Sequence, residues 1–402
     1  LYAVGLPMFT TAKVLGWLFG VATLPFAWAL TRRALPDRGG APFHPDNLAL
    51  IAPFALAINV QFAVWNSSGL ENSLFCLIFA AALYRCVVEL EDNRKPLSAF
   101  LFFLLCISRP EGIMYTLVAF GVRAWHALFS KTAKEQSWSE RLGVVGKWLA
   151  ILVVPLMAYH AWRYWYFAWE FPNTYYAKLG TGRSFKPFKW ARKGWKYINA
   201  WMVPHGGFLF LPLLLIGLLG LGRRLRWLTA GLIALFSVLI FWDGKEGFER
   251  APDWWTGISS AWVKVRVWAL AALVPALWFA ALRSRAWRSR GLLWLCAAAG
   301  LFFALYVGGD WMKAHRWFNL FSVALISIVT VAVSEIVWLI AGDRPVQWRQ
   351  HGPLHHLKNR HGWALLFLVA CISAWGANES RLIAKFVASP ETSVRDIHRR
   401  VI

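Results

Sequence analysis

The chain has 402 residues, of which 58% are hydrophobic and only 16% are charged, and its mean hydropathy is +0.46. Soluble domains are about half apolar and about one quarter charged, so this composition excludes a soluble enzyme and a disordered chain. The apolar residues form many runs of roughly 17–22 residues, the length that crosses a hydrocarbon layer ~30 Å thick. The sequence therefore predicts an all-α, polytopic transmembrane helical bundle.

The charge distribution and the cysteines argue against nucleic-acid binding and against a cysteine metal site. The net charge is +23, because 43 Lys and Arg residues outnumber 20 Asp and Glu residues. Most basic residues lie in short stretches between apolar runs, where they orient a membrane protein rather than bind nucleic acid. The 5 cysteines lie within apolar runs and lack metal-ligand spacing. We therefore interpret them as small hydrophobic core residues. We expect no metal and no separate cofactor, because Arg and Lys can neutralise a single phosphate, and a cation held by Glu71 and Asp310 is the alternative.

In chain order, the apolar runs predict about 11–12 membrane segments, two of which are too short to cross alone. These two flank Ser108-Arg109-Pro110-Glu111-Gly112, where proline and glycine interrupt a helix. We interpret 98–128 as a hairpin of two partial helices near one membrane face, and one long kinked span is the alternative. The predicted segments are 14–31, 48–65, 72–90, 98–108, 112–128, 148–167, 203–222, 226–242, 265–282, 291–307, 320–341 and 363–376.

The basic loops predict which side of the membrane each segment end faces. With the hairpin accepted, all the basic loops but one fall on the same side of the membrane, which is then cytoplasmic. These loops lie near 32–38, 94–95, 123–147, 223–226, 283–290 and 344–360. The basic segment 178–196 falls on the other side and has apolar residues at helical spacing. It predicts an amphipathic helix on the membrane surface, either as an interfacial anchor or as a collector of an anionic lipid substrate.

Four polar motifs fall on the predicted extracytoplasmic side. Carboxylates there would orient hydroxyl groups, cations would neutralise a phosphate, and aromatic rings would stack on a sugar. Structural roles are the alternatives, because Glu71 suits a helix N-terminus and Arg109 with Glu111 suits a buried ion pair. The motifs are Ser68-Gly69-Leu70-Glu71, Ser108-Arg109-Pro110-Glu111-Gly112, Pro172-Asn173-Thr174-Tyr175-Tyr176-Ala177-Lys178, and Gly308-Gly309-Asp310-Trp311-Met312 continuing to Arg316.

In this order and spacing, the four motifs resemble a bacterial family of polyprenyl-phosphate-sugar-dependent glycosyltransferases of the GT-C superfamily. The most similar subgroup is that of the mycobacterial terminal arabinofuranosyltransferase, and the resemblance covers most of residues 10–325. It implies a GT-C-like, inverting enzyme of the bacterial inner membrane and cell envelope. Such an enzyme moves a sugar from a polyprenyl-phosphate donor to a glycan, lipid or protein acceptor on the extracytoplasmic side.

The candidate site residues share that predicted side. We expect Arg316, Lys178 and Arg109 to converge on the donor phosphate, and Glu71 and Asp310 to line one water-accessible cavity. Members of the family usually carry an Asp-Asp pair in the first extracytoplasmic loop, and we expect this presumed base upstream of Leu1. The candidates are Glu71 and Asp310 as supporting carboxylates and, for substrate binding, Arg109, Glu111, Asn173, Tyr175, Lys178, His315 and Arg316.

Two further hypotheses compete with the enzyme. One is a flippase or transporter for a lipid-linked glycan, and the other is a catalytically silent subunit that anchors a membrane assembly. A transporter should show an internal repeat or paired broken helices, whereas the sequence shows one broken hairpin and no repeat. For the domains, 1–378 is predicted as the transmembrane module and 379–402 as the start of an extracytoplasmic C-terminal region.

Overall fold

In the computed structural model, all regular structure among the described residues is helical. Seven of these helices are long and apolar enough to cross a membrane. The prediction of a multi-pass helical membrane protein is therefore confirmed. The described residues are 5, 7–37, 43–92, 95–130, 136–168, 192–205, 210–221, 231, 285–307, 314–342 and 360–388.

The described helices are numbered here in chain order. A 3-10 turn, Val203–His205, follows α9. The predicted segment 265–282 lies outside the described residues, as do all of 226–242 except residue 231 and most of 178–196. The helices are α1 (Met8–Ala34), α2 (Pro45–Ala49), α3 (Ile51–Ala57), α4 (Val60–Asn66), α5 (Asn72–Asp92), α6 (Leu97–Ser108), α7 (Gly112–Phe129), α8 (Trp138–Phe167), α9 (Arg192–Met202), α10 (Phe210–Leu219), α11 (Arg285–Val307), α12 (Arg316–Ala341) and α13 (Arg360–Val387).

The chain divides into two compact units, and each has buried apolar side chains of its own. In the first unit, α5 packs against α6 and α7, and α8 packs against the same two helices. Aromatic rings fill these interfaces, with Phe79 4.7 Å from Tyr115 between ring centroids and Trp148 fully buried. The first unit comprises Leu1–Phe26, Val64–Ile198 and Leu295–Phe321, and the second comprises Ala27–Ala63, Asn199–Trp294 and Ser322–Ile402.

The hairpin is present in the first unit, but only α6 is a partial helix, because the 18 residues of α7 are long and apolar enough to cross a membrane. Arg109 has extended backbone angles (φ −155°, ψ 144°) between α6 and α7, as expected for a residue before proline. Cys106 Sγ lies 3.2 Å from Thr116 Oγ1, although ten residues of one straight helix would separate them by about 15 Å. A Cβ atom on Gly112 would overlap the backbone of α6, so this close approach requires glycine. The alternative of one long kinked span is therefore wrong.

The predicted span 48–65 is not one continuous helix. It is divided into α2, α3 and α4, and the axis bends by 60° between Pro45–Ala57 and Val60–Asn66. Asn59 lies at the bend, and its Oδ1 accepts a hydrogen bond of 3.1 Å from the Phe62 amide. A side-chain acceptor that caps the next helix competes with the continuous helix pattern. Hydropathy does not detect this competition.

Two other helices are longer than their apolar runs. α8 begins at Trp138 rather than 148, because Ser137 and Glu140 form a capping box ten residues before the apolar run. α13 continues to Val387, so the predicted domain boundary between 378 and 379 falls inside a helix. Glu379 is fully buried in the second unit.

Candidate functional site

The first unit contains a polar cluster at the hairpin turn, here called the Arg109 cluster (Glu71, Asn72, Arg109 and Glu111). Arg109 Nε and Nη2 each donate a hydrogen bond of 3.2 Å to the two carboxylate oxygens of Glu111. Arg109 Nη1 donates to Glu71 Oε1 and, at 2.9 Å, to Asn72 Oδ1. These bonds use four of the five guanidinium N–H groups. Arg109 is therefore held firmly between carboxylates.

Local structure explains why these residues meet. The extended backbone of Arg109 leaves α6, and Glu111 directly precedes the first residue of α7. Glu71 directly precedes α5, and Asn72 is its first residue. Because α5 packs against both α6 and α7, the start of α5 meets the turn of the hairpin.

The members of the Arg109 cluster differ in exposure. The side chain of Arg109 is 7% exposed and that of Glu111 is 9% exposed, whereas Glu71 is 46% exposed. A buried guanidinium needs charged partners, and the paired bonds to Glu111 supply them. Glu71 accepts from Arg109 through one oxygen and leaves its other oxygen available to a hydroxyl group. Two carboxylates and one guanidinium give the cluster a net negative charge.

Two buried tryptophans contact Arg316, and one of them, Trp317, also contacts Arg109. The Arg109 guanidinium carbon lies 5.5 Å from the ring centroid of Trp317, and that of Arg316 lies 5.2 Å from the same ring. Arg316 also lies 5.9 Å from the Trp65 ring. Cations over indole rings are attracted by the ring quadrupole. The Trp317 ring therefore lies between the Arg109 cluster and a second guanidinium, that of Arg316.

The turn before α12 positions Arg316. The Trp65 indole Nε1 donates a hydrogen bond of 2.9 Å to the Ala314 carbonyl oxygen. Ala314 and His315 have positive φ values of 56° and 46°, a left-handed conformation that is uncommon outside glycine. The His315 ring lies 5.1 Å from the Tyr197 ring. These contacts hold two strained residues immediately before the helix begins.

Four predicted site residues lie outside the described residues: Asn173, Tyr175, Lys178 and Asp310. The expected cavity between Glu71 and Asp310, and the contribution of Lys178 to a phosphate site, therefore stay predictions. The structure does bring Glu71, Arg109, Glu111 and Arg316 to the same region of the first unit.

The candidate residues chosen from the sequence did not include Asn72, Trp65 or Trp317, although Asn72 and Trp317 stand next to candidate residues. Asn72 directly follows the Glu71 motif, and a polar residue at a helix start was the available signal. Trp65 and Trp317 resemble the interfacial tryptophans of any membrane helix end, so only their contacts single them out. In the described part of the chain, no three His, Cys, Asp or Glu side chains are grouped to hold a metal ion.

Comparison with family models, with curated proteins and with solved structures found no match for this chain. Function is therefore inferred from the geometry of the Arg109 cluster, from Arg316 and from the motifs. The helical membrane architecture is consistent with many activities, so the side chains must carry the inference.

Proposed function

We propose that the protein is an integral-membrane, inverting glycosyltransferase that uses a polyprenyl-phosphate sugar as its donor. The observation that carries this proposal is that Arg109 contacts both the half-exposed Glu71 and the Trp317 ring, and that Arg316 contacts the same ring. Transfer from a lipid phosphate needs a partner for sugar hydroxyls and a cation for the leaving phosphate. The described residues supply both within one unit.

In the proposed reaction, the acceptor hydroxyl oxygen forms a bond to the anomeric carbon of the donor sugar. The bond between that carbon and the phosphate oxygen breaks, and its electron pair leaves with the lipid phosphate. The hydroxyl proton goes to a carboxylate base, which the family resemblance implies in the first extracytoplasmic loop. Glu71 accepts a hydrogen bond from a sugar or acceptor hydroxyl and orients it, and Arg316 neutralises the phosphate.

Arg109 takes a different role from the one expected from the sequence. Since four of its N–H groups already bind Glu71, Asn72 and Glu111, we assign it to positioning Glu71 rather than to binding phosphate. The bidentate contact with Glu111 fixes the guanidinium plane, and this plane in turn fixes one oxygen of Glu71.

The test is transfer of a labelled pentofuranose from a polyprenyl phosphate by the full-length protein in lipid nanodiscs. We expect Arg316→Lys to lower the transfer rate by about tenfold to hundredfold, because lysine lacks the planar fork that binds phosphate. Arg360→Lys, at an exposed position that starts α13, is the matched control and should keep the wild-type rate. An unchanged rate in Arg316→Lys would remove Arg316 from the site. The proposed function is overturned if the wild-type chain transfers sugar from none of the polyprenyl-phosphate donors tested.

One observation favours the transporter as a second candidate. The described residues contain two interrupted apolar segments, the α6–α7 hairpin and the bent α2–α4 segment. Paired broken helices are typical of secondary transporters. A fluorescent lipid-linked glycan in liposomes distinguishes the two, since a transporter moves it across the bilayer without breaking the sugar–phosphate bond.

A further inference from the structure

Tyr197 of α9 contacts the turn that carries Arg316. The Trp317 amide donates a hydrogen bond of 3.3 Å to the Tyr197 hydroxyl oxygen. Between ring centroids, Tyr197 lies 5.1 Å from His315 and 6.0 Å from Phe318. Tyr197 therefore contacts the residues immediately before and after Arg316, and all of these residues belong to the first unit.

The hydrogen bond from Trp317 acts as a helix cap. The first amides of a helix have no carbonyl partner within the helix, and a side chain just before the helix usually accepts from one of them. Arg316 is the first residue of α12 and Trp317 is the second. The Phe318 amide donates to the His315 carbonyl at 2.9 Å, whereas the Trp317 amide donates to Tyr197. A side chain from another helix therefore stabilises the first turn of α12.

The two residues before α12 need contacts of this kind. Ala314 and His315 have positive φ values of 56° and 46°. Such a conformation is strained in residues other than glycine and persists only where the surrounding structure holds it. The Trp65 indole holds the Ala314 carbonyl oxygen by a hydrogen bond, and the Tyr197 ring packs against His315. Each of the two strained residues therefore has a contact from another helix.

α9 is itself packed closely in the first unit. A Cβ atom on Gly194 would overlap the carbonyl group of Leu305 in α11, so the two backbones approach as closely as glycine allows. Ile198 is buried, and it lies four residues after Gly194 on the same face of the helix. Tyr197 lies three residues after Gly194 and so lies near this packed face. The close packing of α9 therefore fixes the position from which Tyr197 reaches α12.

We propose that Tyr197 is a positioning residue for Arg316 in sugar transfer, an inference that rests on the proposed function. The Tyr197 hydroxyl fixes the backbone of the first turn of α12. This turn determines where the Arg316 guanidinium lies relative to the Trp65 and Trp317 rings. Without the hydrogen bond, Arg316 keeps its charge but is aimed less accurately at the leaving phosphate. Since negative charge on that phosphate grows in the transition state, the loss falls on kcat more than on KM.

The experiment measures kcat and KM for sugar transfer by the full-length protein in nanodiscs. Tyr197→Phe removes the hydroxyl and keeps the ring, and we expect kcat to fall by about threefold to tenfold, the effect of one hydrogen bond. The KM for the donor should stay nearly unchanged. Tyr159→Phe is the matched control in the same unit, because Tyr159 on α8 contacts the rings of His160 and Trp162 and should leave kcat at the wild-type value.

A double-mutant cycle separates positioning of Arg316 from a merely structural role. In an Arg316→Lys background, Tyr197→Phe should lower kcat much less than in the wild type, because the guanidinium that it positions is already absent. A structural role would lower kcat by the same factor in both backgrounds, and that outcome overturns the inference.

Hydrogen–deuterium exchange tests the cap without any activity. The Trp317 amide should exchange faster in Tyr197→Phe than in the wild type, and Tyr159→Phe should leave its exchange unchanged. An unchanged exchange rate in Tyr197→Phe overturns the cap. An unchanged kcat in Tyr197→Phe, with normal transfer by the wild type, overturns this inference alone. Absence of transfer by the wild type overturns the proposed function, and with it the role of Tyr197 in transfer.

Discussion

Two buried clusters of arginine and glutamate lie at opposite ends of α5, α6 and α7, and they are built differently. At one end is the Arg109 cluster, which has two carboxylates for one guanidinium and a half-exposed Glu71. At the other end, Glu89 is fully buried and accepts from Ser98 N at 2.8 Å, Ser98 Oγ at 2.6 Å and Arg85 Nε at 3.1 Å. Arg123 adds a bond of 2.9 Å to the Glu89 backbone carbonyl.

The difference separates a structural cluster from a candidate site. Around Glu89, two guanidinium groups surround one carboxylate, and Trp148 closes the group by donating to Ser98 Oγ at 3.0 Å. No carboxylate oxygen there is left to face water or a ligand. In the Arg109 cluster, the buried pair supports a carboxylate that remains accessible. Ionisable groups in a membrane segment are costly, and accessibility distinguishes those that serve a ligand from those that hold helices together.

The largest expected effect on the free energy of unfolding is for the cluster around Glu89. Glu89→Ala should lower the free energy of unfolding by about 3–5 kcal/mol, because it leaves buried guanidinium groups and the Ser98 amide without their acceptor. Reversible unfolding in detergent measures the change. Glu140→Ala, which removes an exposed capping carboxylate from α8, is the control and should cost much less. A loss equal to that of the control would show that the Glu89 cluster does not hold the helices together.

A smaller effect is expected at the turn that carries the Arg109 cluster. Gly112→Ala should destabilise the protein by about 1–3 kcal/mol, because the new methyl group overlaps the Leu105 carbonyl. Gly121→Ala in the same helix meets no atom within 4 Å and should stabilise the helix by up to about 1 kcal/mol. Opposite signs in the two variants, measured by thermal unfolding, would confirm the tight hairpin, and equal signs would contradict it.

The smallest effect on stability, and the clearest on activity, is expected for Glu71. Glu71→Gln should change the free energy of unfolding by less than about 1 kcal/mol, because Glu71 is half-exposed. The same change should lower the rate of sugar transfer about tenfold or more, since the neutral amide binds Arg109 and hydroxyl groups more weakly. Unfolding and transfer are measured on the same preparation. A stability loss as large as that of Glu89→Ala, with normal transfer, would make the two clusters equivalent and remove Glu71 from the site.

Part of the fold was accessible from local patterns. The hairpin was predictable because Pro110 and Gly112 act on their immediate neighbours, and long apolar runs predicted most of the described spans. The bend at Asn59 was not predictable, because its stabilising partner Glu379 lies 320 positions away along the chain. The early start of α8 was missed because its capping residues are polar and lie outside the apolar run.

The candidate site, like the fold, was only partly predictable from the sequence. Glu71, Arg109, Glu111 and Arg316 were chosen from motifs, because charged residues beside membrane segments are conspicuous. Their pairing was not predictable, and neither was the role of Trp317. Arg109 was expected to face a phosphate, yet it is bound by Glu71, Asn72 and Glu111.

The sequence by itself determined that this is a helical membrane protein, where a hairpin interrupts it, and which polar residues could carry chemistry. These properties depend on hydropathy and on helix breakers, whose effects extend over one helical turn or one span. Only the tertiary structure decided which carboxylate is buried, which is exposed and which segment is bent. Those outcomes depend on side chains that approach from distant parts of the chain, since a buried charge or a released amide must take whatever partner the packing provides.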